Sequence, residues 1–225
     1  MSNERLVSCL CVTRNRVPML RRAVSCFLNQ TYQPRELVVL YETDDPATGD
    51  YLATLNDLSI RAIAIPVSPK LTLGALRNLS LEASLGRYVA QWDDDDWHGP
   101  ARLADQINTI CASCKPACVL SRWVMYDEAT QAAFVSAIRA WEGSLVAERS
   151  AVPPYADLRQ GEDTSVIDQM LSENKLVTLD SPHLYVYVYH GTNTWERSHW
   201  QENLLPYAQP LATESTERVR SLLQL

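Results

Sequence analysis

Short apolar runs alternate with amphipathic segments along the N-terminal half of this chain. The apolar runs cover residues 6–12, 37–41, 60–67 and 88–92. Runs of this length predict strands that are covered on both faces. The segments between them carry apolar residues at helical spacing, and Pro18 stands where a helix tolerates the loss of an N–H. This alternation favours right-handed βαβ units, so we predict an α/β fold with a mostly parallel central sheet flanked by helices.

Three polar segments directly follow predicted strands. They are Thr13–Arg16, Glu42–Asp45 and Asp93–Asp96. In a parallel sheet, ligands bind in the crevice beyond the carboxyl ends of the strands. We therefore expect the three segments to converge on one crevice, which makes them the first candidates for a functional site.

The pattern changes after Asp96, where helices and short strands follow one another less regularly. We predict helices at 103–110, after 161–164 and at 214–225, and strands at 119–125, 134–138, 143–147 and 184–189. This arrangement indicates a smaller C-terminal part built onto the parallel sheet.

Composition excludes several classes of protein. The net charge of −7 argues against general nucleic-acid binding, which needs concentrated Lys and Arg. No apolar run approaches the roughly 18 residues of a membrane span, and MSNERLVSCLCV is a poor signal peptide, so we expect a cytoplasmic protein. Cys111, Cys114 and Cys118 have the spacing of half a zinc site, but reduced, partly buried thiols are the interpretation we favour.

Four consecutive aspartates, Asp93–Asp96, follow the fourth predicted strand and are flanked by Trp92 and Trp97. Neighbouring carboxylates repel one another, and a divalent cation relieves that repulsion. Mg²⁺ and Mn²⁺ prefer oxygen ligands and often bridge to the phosphates of a substrate. The alternative is a solvated acidic loop in which Asp95 or Asp96 caps the next helix. We favour the metal site.

Three further residues have both a functional and a structural interpretation. Asp163 lies near a predicted helix start, where it is either an N-cap or a general base. His190 ends a predicted strand and is a metal ligand, a proton carrier or an ordinary surface histidine. Arg77, on a predicted helix beside the crevice, either pairs with a phosphate or faces solvent. The pattern of residues leaves these alternatives open.

Five stretches together point to a known family. They are VSCLCVTRNR, ELVVLYETDD, LGALRNLSLEASLGRYVAQWDDDDW, GED and HGTNTW. This combination resembles family 2 glycosyltransferases with the GT-A fold, over most of the chain and most densely between Leu6 and Leu103. The resemblance implies one domain, 1–225, with a Rossmann-like sheet. Residues 1–100 would form the nucleotide-sugar-binding half and residues 101–225 the acceptor-side half. It also implies an inverting enzyme that moves a sugar from a nucleotide-diphosphate donor to an acceptor hydroxyl.

The resemblance also assigns roles on the donor side. The positions that match donor-binding residues are Thr13, Arg14, Glu42, Arg77, Asp93 and Asp95. Asp95 would hold a divalent cation, Mn²⁺ or Mg²⁺, on the diphosphate, and His190 would complete its ligand shell. Glu42 stands where the family usually has an Asp that contacts the base. Arg14 replaces a Tyr that is common in the family, so stacking on the base would involve a guanidinium.

On the acceptor side, Asp163 matches the family's catalytic base, which would deprotonate the acceptor hydroxyl. Trp141, Glu142, Trp195 and Trp200 are acceptor-side candidates, because indole faces suit sugar rings, while packing in the core is an open alternative for each tryptophan. The implied partners are a nucleotide-diphosphate sugar and a saccharide or lipid-linked saccharide of the cell envelope. Contact with the membrane would be at most peripheral, at its inner face.

Two other function classes remain open at this point. One is a metal-dependent nucleotidyl or phosphoryl transferase that uses the aspartates as a two-metal site, although no P-loop motif occurs. The other is a nucleotide-sugar-binding protein without turnover, against which the presence of Asp95 and Asp163 weighs. Release of a nucleoside diphosphate from a nucleotide sugar would favour the glycosyltransferase over both.

Overall fold

The computed structural model describes residues 5–224 and has a seven-stranded sheet at its centre. From edge to edge, the strands are β10 (Leu176–Leu179), β6 (Ala117–Leu120), β9 (Val146–Glu148), β4 (Tyr88–Gln91), β1 (Val7–Val12), β2 (Arg35–Glu42) and β3 (Ile60–Ile65). β9 is antiparallel to both of its neighbours, and the other pairs are parallel. The predicted α/β fold with a mostly parallel sheet is confirmed.

Residues 1–4 and 225 lie outside the described residues. They include the first part of the segment compared above with a signal peptide and the last residue of the predicted C-terminal helix. The prediction about a signal peptide therefore stays a prediction.

Helices cover both faces of the sheet. They are α1 (Val17–Leu28), α2 (Pro46–Ala53), α3 (Leu73–Ala83), α4 (Arg102–Ser113), α5 (Thr164–Ser172), α6 (Arg197–His199) and α7 (Thr213–Leu223). Alternate residues of β1 face two separate cores, as expected for a strand buried on both sides. Cys9 and Cys11 pack with residues of α1 and α4, while Leu10 packs on the side that Leu76 and Leu79 of α3 cover.

A second sheet of five short strands lies beside the first. Its strands, in spatial order, are β12 (Gln209–Pro210), β8 (Ala132–Val135), β7 (Val124–Asp127), β11 (Tyr185–Tyr189) and β5 (Trp97–His98). β5 directly follows the aspartates and pairs antiparallel with β11. The second sheet therefore anchors the turn Asp93–Asp96, which we call the aspartate turn.

Several boundaries differ from the prediction. The run 119–125, predicted as one strand, belongs to two strands in different sheets, β6 and β7. Both strands are buried, so their apolar character does not reveal the crossing between sheets. α2 begins at Pro46, directly after the predicted polar segment Glu42–Asp45, because the Asp45 side chain accepts the Thr48 N–H at 3.1 Å. β5 and β10, of two and four residues, were not predicted.

The six cysteines are reduced and differ sharply in exposure. Burial raises the pKa of the Cys9 and Cys118 thiols to about 12. Cys111 and Cys114 are exposed. Cys118 therefore lies in the core, apart from the other two members of the spacing that suggested half a zinc site.

The helices are short. α1 and α4 have 12 residues each. Within residues 5–224, no helix combines the length and the apolar character that crossing a membrane requires.

Candidate functional site

The polar segments that follow β1, β2 and β4 meet at one edge of the sheet. The Thr13 hydroxyl, after β1, donates a 2.5 Å hydrogen bond to Asp94, after β4. Arg14 pairs with Glu42, at the end of β2, at 2.9 Å. The expected convergence of the three segments on one crevice is confirmed.

Asp94 and Asp96 are buried and bind to the surrounding scaffold. Asp94 accepts the hydrogen bond from Thr13, while Asp96 accepts one from the Tyr185 hydroxyl at 2.5 Å and one from the Val188 N–H at 2.9 Å. Burial raises the pKa of Asp94 to about 7 and that of Asp96 well above its usual value, and the neighbouring carboxylates add to both shifts. These two side chains hold the aspartate turn in place.

Asp93 and Asp95 are the more exposed members of the turn. Arg77 Nη2 donates to Asp93 Oδ1 at 3.0 Å. Asp95 Oδ2 lies 2.9 Å from Arg16 Nη1 and 3.1 Å from His190 Nε2. Burial on its own would raise the pKa of Asp95, but the His190 hydrogen bond and the Arg16 charge outweigh it, so the pKa is lowered. Asp95 is therefore held as a carboxylate beside an imidazole.

The alternative in which Asp95 or Asp96 caps the following helix is wrong. The N-cap position of α4 is occupied by Ala101, which makes no side-chain hydrogen bond. Both carboxylates have the partners described above.

A cavity of about 390 Å³ opens beside the aspartate turn. The predicted site residues that line it are Arg77, Asp93, Asp95, Trp141, Glu142, Asp163 and Trp195. Thr13 and His190 do not line it but contact Asp94 and Asp95, which do. Arg14 and Glu42 also lie outside the lining and pair with each other at the end of β2. The structure thus brings the predicted residues together around one cavity and the strand end next to it.

Arg77 connects the two acidic walls of the cavity. Its Nη2 donates to Asp93, and its Nε donates to Glu162 Oε1 at 2.7 Å. Burial alone would lower the pKa of Arg77, but the carboxylates of Asp93, Glu162 and Asp163 raise it well above its usual value. The side chain is 10% exposed, so the solvent-facing alternative is wrong, and Arg77 is a permanent cation inside the site.

Asp163 occupies the N-cap position of α5, but its carboxylate does not cap the helix. In the part of the chain that the structure describes, this carboxylate makes one hydrogen bond, from Gln91 Nε2 at 3.4 Å. The interpretation of the Asp163 side chain as a helix cap is therefore wrong. The carboxylate instead lines the cavity that the aspartate turn also lines.

Aromatic side chains form the cavity wall next to the second sheet. Trp141 stacks on Trp123 with ring centroids 4.4 Å apart. Trp195 is 41% exposed and stacks on His199 at 4.2 Å. Trp200 does not line the cavity; it is buried in a core cluster, so the packing interpretation is correct for that residue.

Glu142 lies next to Trp141 and pairs with Arg139. Burial raises the pKa of Glu142, although the Arg139 charge opposes the shift. The lining of the cavity on the aromatic side therefore includes a paired carboxylate.

Glu42 presents an unsatisfied oxygen at the end of β2. Its Oε2 pairs with both Arg14 and Lys70. Its Oε1 is buried and has no hydrogen-bond partner among the described residues. A buried acceptor without a partner is costly, and an N–H group of a ligand would satisfy it.

Three functional candidates were missed in the sequence. Arg16 lies in the same loop as Thr13 and Arg14, so the run Thr13–Arg16 contained a signal for it. Gln91 and Trp123 showed no such signal, because each lies in a mainly apolar run and belongs to no recognisable motif. The indole N–H of Trp123 is buried without a partner in residues 5–224 and belongs to a side chain that lines the cavity.

No group of three or more His, Cys, Asp or Glu within residues 5–224 is arranged to hold a metal ion. Asp95 Oδ2 and His190 Nε2 are two suitable donor atoms that lie together, at 3.1 Å. Mg²⁺ and Mn²⁺ are often bound through one or two protein groups, with water and substrate phosphates as the other ligands. The donor set therefore fits part of the shell of such an ion.

Comparison with known proteins identifies the family. The family model described as "Glycosyl transferase family 2" matches residues 8–168, well over half of the chain. The protein named "Putative colanic acid biosynthesis glycosyl transferase WcaA" from Escherichia coli K12 is 31% identical over 109 residues. That match covers 46% of this chain and 37% of the E. coli protein.

Solved structures show the same fold. S. aureus TarS 1-349 in complex with UDP has a TM-score of 0.64 and 15% identity, and the match covers 81% of this chain and 60% of TarS 1-349. The mannosyltransferase PcManGT from Pyrobaculum calidifontis, in complex with GDP-Man and Mn²⁺, has a TM-score of 0.58 and 14% identity, with 84% and 57% covered. The chain spans less than two thirds of the length of each of these relatives. It belongs to glycosyltransferase family 2 and has the GT-A fold.

Proposed function

We propose that this enzyme transfers a sugar from a nucleoside-diphosphate donor to an acceptor hydroxyl in a single displacement that inverts the anomeric centre. The observation that carries the proposal is the placement of Asp163. Its carboxylate lines the cavity together with the aspartate turn and makes no cap hydrogen bond. Such a carboxylate suits a general base that acts on an acceptor hydroxyl. The complexes of TarS with UDP and of PcManGT with GDP-Man support a nucleotide-sugar donor.

The donor nucleotide would lie along the edge where β1, β2 and β4 end. Its diphosphate would be next to Asp95 and the guanidinium of Arg77, while Asp93 would approach the ribose. Its base would be next to Glu42, whose buried Oε1 has no partner among the described residues and would accept an N–H of the base. The Arg14 side chain is half-exposed beside Glu42 and is available for stacking on that base.

A divalent cation is part of the proposal. Asp95 and His190 would hold it, and the imidazole donor favours Mn²⁺ over Mg²⁺. The Asp95 carboxylate also lies 2.9 Å from Arg16 Nη1. When bound, the ion would neutralise charge on the departing diphosphate.

The chemistry of the step follows from the groups around the cavity. The bond between the anomeric carbon and the diphosphate oxygen breaks, and its electron pair leaves with the nucleoside diphosphate. The acceptor oxygen forms the new bond on the opposite face of the sugar, and its proton moves to Asp163. Arg77, already fixed between Asp93 and Glu162, supplies positive charge without reorganising during the reaction.

The acceptor would enter on the aromatic side of the cavity. Trp195 has an exposed indole that is held by stacking on His199, and Trp141 and Glu142 form the adjacent wall. We propose a saccharide or lipid-linked saccharide of the cell envelope as the acceptor, at the inner face of the membrane. The name of the E. coli relative, which refers to colanic acid biosynthesis, supports an envelope saccharide.

The test is a panel of nucleotide sugars incubated with Mn²⁺ and saccharide acceptors. We expect release of a nucleoside diphosphate, and we expect NMR of the product to show an inverted anomeric configuration. Release of pyrophosphate or a nucleoside monophosphate would instead support a nucleotidyl or phosphoryl transferase. Donor binding with no turnover on a broad acceptor panel would support a binding protein.

A further inference from the structure

We propose that Gln91 is a positioning residue for glycosyl transfer, holding the Asp163 carboxylate at a fixed place relative to Asp93. The inference rests on the proposed role of Asp163 as the base. Gln91 is the last residue of β4, is 4% exposed and does not line the cavity. It therefore acts through the carboxylates that it contacts and not on the substrate.

The Gln91 amide lies between the two carboxylates. Its Nε2 is 3.2 Å from Asp93 Oδ2 and 3.4 Å from Asp163 Oδ2. A primary amide has two N–H donors on one nitrogen, so one amide can serve two carboxylates without neutralising either. Both distances exceed the usual 2.9–3.0 Å or so of N–H···O bonds, as is common in active sites before substrate binds and tightens them.

The backbone of Gln91 is fixed, which makes it a suitable anchor. Its N–H donates to the Leu145 carbonyl at 2.9 Å, and its carbonyl accepts from the buried Arg102 at 3.0 Å. Asp163 has no comparable restraint on its side chain, because the Gln91 contact is its one side-chain hydrogen bond in the described part of the chain. The orientation of the base therefore depends on this amide.

The other half of the amide supports the same conclusion. Gln91 Oε1 is buried and has no partner among residues 5–224. A buried carbonyl oxygen without a hydrogen bond destabilises the fold. Within residues 5–224, the polar contacts of the Gln91 side chain are thus those with Asp93 and Asp163, and both carboxylates line the cavity.

Gln91→Met removes both N–H donors at nearly constant volume. Without these N–H groups, no hydrogen-bond donor lies between the Asp93 and Asp163 carboxylates. The Asp163 side chain can then rotate away from the acceptor hydroxyl. We expect kcat to fall by about 10- to 100-fold, the usual effect of removing a group that orients a catalytic ligand or base. The donor KM and the affinity for nucleoside diphosphate with Mn²⁺ should stay near parental values, since Asp95 and Arg77 are untouched. Gln30→Met is the control: Gln30 is also 4% exposed, but the three side-chain hydrogen bonds that it makes among the described residues go to backbone groups and none goes to either carboxylate, so this variant should keep parental kcat.

A double-mutant cycle with Asp163→Asn tests whether Gln91 acts through the base. Gln91→Met should cost little more in the Asp163→Asn background, whereas independent roles would multiply the losses and overturn the inference. Gln91→Leu, which also removes both donors and adds no charge, serves the same test if the Met variant folds poorly. Parental kcat in both Gln91 variants, with Asp163→Asn inactive, would refute the inference and leave the proposed function standing. Parental kcat in Asp163→Asn would refute the proposed function itself.

Discussion

Asp163→Asn separates catalysis from folding more cleanly than any other substitution in this site. Asn keeps the shape and one side-chain oxygen but cannot take a proton from the acceptor. Because the carboxylate does not cap α5, the substitution removes no helix-capping contact. It changes the hydrogen bond from Gln91 from a charged to a neutral one, which costs about 1 kcal/mol.

The loss of charge has opposing effects that limit the change in stability. Asp163 attracts the Arg77 guanidinium, but it also adds to the upward pKa shifts that burial produces in Glu142 and Glu162. Removing its charge therefore removes an attraction and two repulsions. We expect the free energy of unfolding to change by about 1 kcal/mol or less, which is about 2–4 °C in Tm for a chain of this size. Loss of a general base costs about 10²- to 10⁴-fold in rate, or about 3–5 kcal/mol in the activation barrier.

The assay compares three measurements on the parent and on Asp163→Asn. They are Tm, binding of nucleoside diphosphate with Mn²⁺, and the rate of nucleoside diphosphate release with acceptor present. We expect the first two to be near parental and kcat to fall at least about 100-fold. Asp168→Asn, an exposed acid on α5 outside the cavity, is the control and should be neutral. Turnover within a few-fold of the parent would refute the reasoning, and the base would then have to be sought among other carboxylates.

Three further predictions follow from the same structure. Chelation should abolish transfer and Mn²⁺ should restore it, with Asp95→Asn losing metal-dependent nucleotide binding in calorimetry; full activity in excess chelator would contradict this. Because burial raises the pKa of Asp94 to about 7, the folded state holds this proton more tightly than the unfolded state, so stability without metal should fall as pH rises from about 4 to about 7. Asp94→Asn should flatten that part of the Tm profile, and an unchanged slope would argue against a buried proton. A thiol reagent at neutral pH should label Cys111 and Cys114 quickly and the four buried cysteines only after unfolding; fast labelling of all six would show that the core opens readily.

The fold could be predicted where each strand and helix has its own hydrophobic signature. β1 to β4 and the helices between them satisfy this condition, because continuous apolar runs alternate with helical periodicity. The prediction fails at 119–125, where one apolar run contributes to strands of two different sheets. Both strands are buried, so the sequence gives no sign of the point where the chain passes from one sheet to the other. It also fails for β5 and β10, which are too short to show a period.

The residues of the candidate site could also be predicted only in part. The aspartate turn was predicted as a candidate site because an unusual run of charge follows a buried strand, and the family resemblance singled out Asp93 and Asp95 within it. Gln91 and Arg16 were not assigned roles, because their functional contacts join residues far apart in the chain. Gln91 meets Asp163 across 72 positions, and Arg16 meets Asp95 across 79. Such contacts depend on the tertiary fold, and no local sequence pattern predicts them.

The distribution of cations around the cavity supports the proposal that Asp163 is the base. The cavity carboxylates that have an Arg partner are Asp93, Asp94, Asp95, Glu142 and Glu162. Protonation of any of these would weaken an ion pair inside the site. Asp96 has no such partner, but it is buried and accepts two hydrogen bonds from the scaffold. Among the described residues, Asp163 is therefore the cavity carboxylate that has neither an Arg partner nor two hydrogen bonds from the scaffold, and this arrangement suits the role of base that we propose for it.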